Sequence, residues 1–264
     1  MLKKTIQKAL GAAGLRLQKV KHEPFEELWQ IPRFTEHQVQ VLGRDFVVAD
    51  ARSFFFSYRE IFVEEIYRFN ASGDTPRVID CGSNYGASIV YTKHIYPHAR
   101  ITGVEADPAI FALLERNCAH LGVELLNKAV SNSHEQLKFY CEGSDAGRAA
   151  HAIDSPKAIV MVDSITLDDL IDGPVEFLKI DIEGSETRAL EACAKLREVR
   201  NLFVEYHCFK EEPQTLDRLL AVLRENGFRY FIRHQFCSPA PLTQDAEQLG
   251  MDMQLNIFAM FRDK

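Results

Sequence analysis

The sequence predicts an α/β fold: a doubly wound, Rossmann-like sheet of mainly parallel strands with a terminal antiparallel strand, preceded by an N-terminal helix and hairpin extension. Three observations predict it. From Arg77 onward, apolar runs of strand length alternate with helical runs to the end of the chain. A glycine-bearing turn, CGSNYG at 81–86, follows the first of these runs. The last two apolar runs, FRYFIRH and MQLNIFAMFRD, have no helical pattern between them, so the final strand is expected to pair antiparallel.

Taken in order, residues 1–75 form the extension and 76–264 the main domain. Met1–Gly14 (MLKKTIQKALGAAG) reads as a short amphipathic helix packed on the body or a partner, with weak contact to a membrane surface as the second reading. Gln38–Asp50 alternates and turns at Gly43-Arg44, a hairpin. Ser53–Phe69 has aromatics at helical spacing, read as core packing. RVIDCG is a buried strand, ASIVYTKHIYP a helix stopped by Pro97, and ARITGVEA a second strand. The next helix has Asp107 as N-cap, Pro108 at its first position and Gly122 past its end. VELLNKAV is a third strand and EQLKFYCE an added hairpin strand. Gly143–Pro156 is a polar loop carrying Asp145, Arg148, His151 and Asp154, long enough to be a lid or binding loop. A strand and short capped helix (AIVMVDSITLDDLI), a strong strand (VEFLKIDIEG), a helix capped by Ser185 (SETRALEACAKL), a strand (NLFVEYHCF) and a helix (PQTLDRLLAVLRENG) lead to the closing pair.

The chain has 264 residues and is 46% hydrophobic, enough for a packed core. A net charge of -7, with Lys and Arg scattered apart from a small basic N-terminus, argues against nucleic acid. The six cysteines show no CxxC pair and no zinc spacing. With the first residues failing as a signal peptide, they predict a reducing cytoplasm. No apolar run is long enough for a transmembrane segment.

The turn decides between cofactors. A dinucleotide fingerprint needs a second glycine where Asn84 stands, and a Walker loop needs G-K-S/T, which is absent. S-adenosylmethionine carries no phosphate. It needs a tight turn and an acid for its charged end, which Asp80, Gly82, Asn84 and Gly86 supply. It needs an acid for its ribose hydroxyls, which Glu105 supplies at the end of the next strand. An NAD-dependent oxidoreductase and a non-catalytic S-adenosylmethionine-binding protein are the other readings.

VIDCGSNYG, VEADP, NKAVS, SITLDDL, LKIDIEGSE and FVEYH, in that order over about residues 77–207, resemble the FkbM-type S-adenosylmethionine-dependent methyltransferases. The resemblance implies a class I methyltransferase sheet and methylation of a hydroxyl on a saccharide or glycoconjugate, a glycan or small-molecule acceptor. It carries Gly82, Asn84, Gly86 and Glu105 over as cofactor contacts and sets Asn127 to Ala129 beside the adenine. Cys81 and Ala106 depart from the family's usual residues. The first 75 residues match no pattern, and acceptor choice or oligomer contacts belong there. N-methylation of an amino sugar or small amine is the alternative.

Ligands gather outside the carboxyl ends of parallel strands. Asp181, followed by Glu183 and Glu186, closes one strand; Glu205 and His207, on one face, close another. His207, with an ordinary imidazole pKa, or Asp181 is the expected base, with Glu205 beside them. Asp181, Glu205 and His207 are also the set that would hold a divalent metal, but a metal-free site is the favoured expectation, because their convergence is only inferred.

Overall fold

The computed structural model describes residues 25–144, 147, 158–243 and 248–261. The N-terminal helix expected at Met1–Gly14, and Asp145, Arg148, His151 and Asp154 of the polar loop, lie outside the described residues. Strands β1 (His37–Val41) and β2 (Arg44–Val48) pair as the expected hairpin. Leu42 and Gly43 make its turn, at φ 50° and 77°, the backbone twist that suits a two-residue hairpin. Helix α1 (Ala51–Tyr58) starts on Asp50, whose carboxylate accepts from the N–H groups of Arg52 (3.0 Å) and Ser53 (2.9 Å).

The helix does not run on to Phe69. It passes into a π-turn at Arg59–Val63 and ends, with Glu65 at φ 53°. The reversal carries Tyr67 and Phe69 beneath the sheet. Tyr67 meets Phe203 edge-on at 4.9 Å and Phe69 stacks on Phe177 at 4.9 Å. Burial of these rings, not local helix propensity, sets the chain's path here.

The strands that follow are β3 (Arg77–Cys81), β4 (Arg100–Glu105) and β5 (Glu124–Asn127); β6 (Ala129–Val130), β7 (Gln136–Cys141) and β8 (Ala158–Ile165); then β9 (Val175–Ile180), β10 (Val199–Phe209), β11 (Phe228–Cys237) and β12 (Met251–Phe261). Seven of them form one sheet in the order β11-β12-β10-β9-β3-β4-β5. β5, β4, β3, β9 and β10 run parallel, and β12 is antiparallel to both β10 and β11. The fold is therefore the Rossmann-like class I sheet, with the last strand inserted antiparallel between β10 and β11. β6, β8 and β7 form a second, three-stranded sheet. The run VELLNKAV, expected as one strand, breaks at Lys128. Its first half pairs with β4 and its second with β8.

Alternation divides the core. Val78, Phe177 and Phe203 face a cluster that takes in Val48, Phe54, Tyr67 and Phe69 of the extension. Their neighbours Ile79, Leu178 and Val204 face the opposite cluster with Leu190, Leu219 and Leu223. The extension thus shares one core with the main sheet.

The helices are α2 (Ala87–Ile95), α3 (Pro108–Cys118), α4 (Leu167–Leu170), α5 (Glu186–Glu191) and α6 (Leu216–Glu225). Asp107 caps α3 as expected, accepting from Ala109 N–H at 2.8 Å. α5 is shorter than its sequence suggests and Ser185 makes no capping hydrogen bond. Asp168 ends the helix by accepting the N–H groups of Ala194 (3.2 Å) and Lys195 (3.0 Å). All six cysteines are free, and only Cys237 is exposed. Among the described residues, no helix is long and apolar enough to cross a membrane.

Candidate active site

Chain order reverses between β3 and β9: β4 and β5 lie on one side of β3, β9 and β10 on the other. Open sheets bind ligands at such a reversal. Here the strand tips are pressed together. Asp181 N–H donates to the Cys81 carbonyl at 3.1 Å. A Cβ on Gly82, at φ 81°, would overlap the Asp181 carbonyl oxygen and lie 2.9 Å from its carbon. Only glycine serves at that position. Gly86, at φ 98°, is required for packing: a Cβ there would overlap Cys118 Sγ and stand 2.9 Å from Leu114 Cδ1.

Above this junction opens a cleft of about 1280 Å³, with Gly82, Asn84, Glu105, Ala129, Asp181, Glu205 and His207 among its lining residues. Asn84 takes the left-handed backbone, φ 48°. Its side-chain oxygen accepts from Tyr85 N–H at 2.7 Å, and its own N–H donates to Glu105 Oε2 at 2.9 Å. Glu105 Oε1 accepts from Asp107 N–H at 2.9 Å. Burial pushes the Glu105 carboxyl up to about 7, against the pull of those two N–H groups.

Three expected cofactor residues do not line the cleft. Asp80 is buried under the turn, with Oδ2 accepting from Ser88 and Oδ1 3.3 Å from Lys179 Nζ. Gly86 faces α3. Asn127 spends its amide on the carbonyls of Glu105 (2.9 Å) and Ala106 (3.1 Å), so it fixes the end of β4.

Asp181 follows β9 and Glu205 lies in β10, whose register pairs Ile180 with Val204. The two acids therefore stand side by side, and His207 is two residues on, on the same face. Ligand atoms of Asp181, Glu205 and His207 all lie within 4.8 Å of one another. Tyr206 points the other way, its hydroxyl accepting from Thr215 N–H at 2.9 Å.

His207 is not an ordinary histidine. Its side chain is 1% exposed, with Nδ1 3.0 Å from Glu186 Oε1 and Nε2 3.6 Å from Glu183 and 4.0 Å from Asp181. Burial opposes its charge, but Glu183 and Glu186 overcome that and hold its pKa well above the usual value. The ordinary pKa expected of His207 is thus not what its surroundings give. Glu186 also accepts from the N–H groups of Ile182 (3.2 Å) and Gly184 (3.0 Å), so it both stabilises the start of α5 and orients the ring. Burial and then Asp181 push Glu205 up to about 8. Gln254 donates to Glu205 from β12.

Lys179 was not among the expected site residues. Its Nζ donates to the Gly82 carbonyl at 2.8 Å and lies 3.3 Å from both Asp80 and Asp181. Burial disfavours its charge, yet the two aspartates keep its pKa well above the ordinary value. A lysine inside the apolar run VEFLKI was the available signal, since a buried charge demands partners.

The extension closes one side of the cleft. Trp29, Arg52, Phe56 and Glu60 line it. Trp29 and Phe56 are 43% and 50% exposed, and Arg52 lies over the Trp29 ring with Cζ 5.9 Å from its centroid.

Comparisons with known proteins bear on these same elements. Methyltransferase sdnD of Sordaria araneosa is 26% identical over 214 residues, covering 66% of this chain and 81% of its own length. Methyltransferase 1 of Beauveria bassiana (strain ARSEF 2860) is 27% identical over 167 residues, covering 51% of this chain and 65% of its own. The crystal structure of methyltransferase FkbM from Methylobacillus flagellatus KT is similar at 16% identity and a TM-score of 0.48, over 79% of this chain and 52% of that one. The model of the methyltransferase FkbM domain matches residues 80–230, from Asp80 at the foot of the turn, through Glu105, Asp181 and His207, into β11. With most of its cleft-forming strands inside that match, the chain belongs to the FkbM methyltransferase family.

Proposed function

We propose that the protein is an S-adenosylmethionine-dependent methyltransferase acting on a hydroxyl oxygen, with a saccharide or glycoconjugate as the favoured acceptor. The observation that carries this reading is the alignment of Glu105, the Gly82–Asn84 turn and the Asp181–Glu205 pair along one cleft. S-adenosylmethionine, when bound, supplies an electrophilic methyl group. The residues present fit it: Gly82 keeps the turn free of side chain, and Glu105 offers a carboxylate at the end of β4 for two ribose hydroxyls. Glu105 must ionise to accept them. Asp80 and Lys179 hold the turn rigid from below.

Asp181 and Glu205 hold the acceptor hydroxyl by accepting its hydrogen, and Glu186 keeps the His207 ring fixed beside them. The exposed rings of Trp29 and Phe56, with the Arg52 guanidinium over one face of Trp29, favour a sugar face flanked by polar groups. The density of carboxylates in the cleft (Glu60, Asp181, Glu183, Glu205) supports a second reading, N-methylation of an amino sugar or small amine.

Mass spectrometry of glycans and amines from cells with and without this protein tests both. A glycan heavier by one methylene only when the protein is present is the expected result, and linkage analysis assigns the methyl to oxygen or nitrogen. An unchanged glycan pool together with a methylated non-saccharide product would overturn the acceptor class. Absence of S-adenosylmethionine binding to the purified chain would overturn the cofactor.

A further inference from the structure

We propose that Asp181, Glu205 and His207 form a divalent-cation site of the Mn²⁺ class at the floor of the cleft, serving the acceptor hydroxyl of the methyl transfer proposed above, on which its role rests. Two carboxylates and an imidazole from adjacent strand tips bring their ligand atoms within 4.8 Å of one another. On an octahedral ion with bonds of about 2.2 Å, adjacent ligands stand about 3.1 Å apart and opposite ones about 4.4 Å, so the three side chains would close inward on the ion.

The surroundings are those of a built metal site. A metal-binding histidine normally has its second nitrogen fixed by a carboxylate, which sets the tautomer and aims the ring. Glu186 does this: it holds His207 Nδ1 at 3.0 Å, and both side chains are 1% exposed. Nε2 is thereby aimed at the side of the ring where Asp181 and Glu183 stand. Glu186 is itself locked by the N–H groups of Ile182 and Gly184, so the ring has no freedom to turn away. Gln254 braces Glu205 from β12 in the same manner.

The charge count points the same way. Asp181, Glu183, Glu186 and Glu205 surround one imidazole. The nearest other cation, Lys179, is shared with Asp80 and donates to the Gly82 carbonyl. Low-dielectric surroundings leave that excess of carboxylate costly without a further positive charge. One neighbour stands at the site itself: Gln254 Nε2 lies 3.5 Å from His207 Nε2, and an entering ion would displace it from that nitrogen. Asp181 is 24% exposed and all three residues line the cleft, which leaves coordination positions open. An imidazole beside two carboxylates selects Mn²⁺ or a similar transition ion over Mg²⁺, which prefers all-oxygen shells. A hydroxyl entering an open position would be oriented and acidified by the ion, its proton passing to water in the cleft.

The test is titration of Mn²⁺ into the full chain stripped of metal with a chelator, read by calorimetry and by loss of the free-ion electron paramagnetic resonance signal. One Mn²⁺ per chain is expected. Asp181→Asn, Glu205→Gln and Glu186→Gln should each weaken it by roughly 10- to 100-fold, with circular dichroism unchanged. No saturable binding by the wild-type chain, or equal affinity in Asp181→Asn and Glu205→Gln, overturns the site. Should those variants misfold, paramagnetic broadening of the His207 ring resonances by Mn²⁺ in the wild-type chain decides, and unbroadened resonances overturn the proposal. S-adenosylmethionine titrated into the same sample separates the two readings. Mn²⁺ bound without S-adenosylmethionine binding keeps the site and removes the methyltransferase role; S-adenosylmethionine bound without Mn²⁺ removes the site alone.

Discussion

The backbone carbonyl of Asp181 occupies the space where a side chain at residue 82 would begin. Gly82 and Asp181 are therefore one structural unit, although they follow different strands and lie far apart in sequence. Gly82 also adopts φ 81°, where an L side chain is strained. Gly82→Ala should lower unfolding free energy by about 3 kcal/mol, combining left-handed strain with overpacking against backbone that cannot yield. Urea denaturation gives the comparison. Wild-type stability in the variant would mean that β3 and β9 are not held this close.

Glu105 gives a pH prediction. Its carboxyl sits at about 7 in the folded protein, against an ordinary 4.5, because it is buried. The sign follows. Between those values the native state binds the extra proton, so stability from this group is present at low pH and is lost as pH rises towards about 7. Cofactor affinity runs the other way, since only the ionised carboxylate accepts from both ribose hydroxyls. Calorimetric affinity for S-adenosylmethionine should fall by up to about tenfold per pH unit below that value, with proton release on binding. Glu105→Gln should bind more weakly by about 1–3 kcal/mol and lose this pH dependence. A flat pH profile in the wild-type chain would remove Glu105 from the cofactor site.

Several of these residues were legible in the sequence because strand ends are punctuated. Gly82, Glu105, Asp181 and Glu205 each follow an apolar run, and each reaches the cleft. The antiparallel final strand was legible from the missing helix before it. What escaped depends on partners distant in sequence. Nothing local shows that Glu186 and Glu183 converge on His207, or that Lys179 is shared by Asp80 and Asp181. The same holds for the break at Lys128, where two sheets compete for one apolar run. Asn127, set beside the adenine by the family resemblance, has its amide on the backbone carbonyls of Glu105 and Ala106, contacts that no local pattern shows.

Lys179 should be a keystone of the junction. Its side chain and that of Asp80 are each 4% exposed, and Asp181 is 24% exposed. Lys179→Met would leave two carboxylates facing one another and the Gly82 carbonyl without its donor. Removing one partner of a buried ion pair typically costs about 3–5 kcal/mol. Thermal unfolding should show that loss, and Asp80→Asn in the same chain should restore part of it by removing one buried charge. A single variant as stable as wild type, or no recovery in the double variant, would show that Lys179 does not compensate these acids.

Trp29 is the only tryptophan of the chain, and it stands at the mouth of the cleft on the side formed by the extension. It is 43% exposed, packs edge-on against Phe56 at 5.5 Å and has the Arg52 guanidinium over its ring. A sugar face laid on Trp29 would displace water from the indole and change its emission. S-adenosylmethionine, held at Glu105 and the turn, should leave that emission nearly unchanged. Fluorescence is thus a direct screen: saccharides titrated into the S-adenosylmethionine-bound chain should give a saturable shift only when they are acceptors. For an acceptor so found, Trp29→Ala should raise KM about five- to tenfold, the worth of one aromatic contact of about 1 kcal/mol, with kcat and cofactor affinity little changed. Emission that responds to S-adenosylmethionine alone, or a Trp29→Ala variant with wild-type KM, would move acceptor recognition away from the extension.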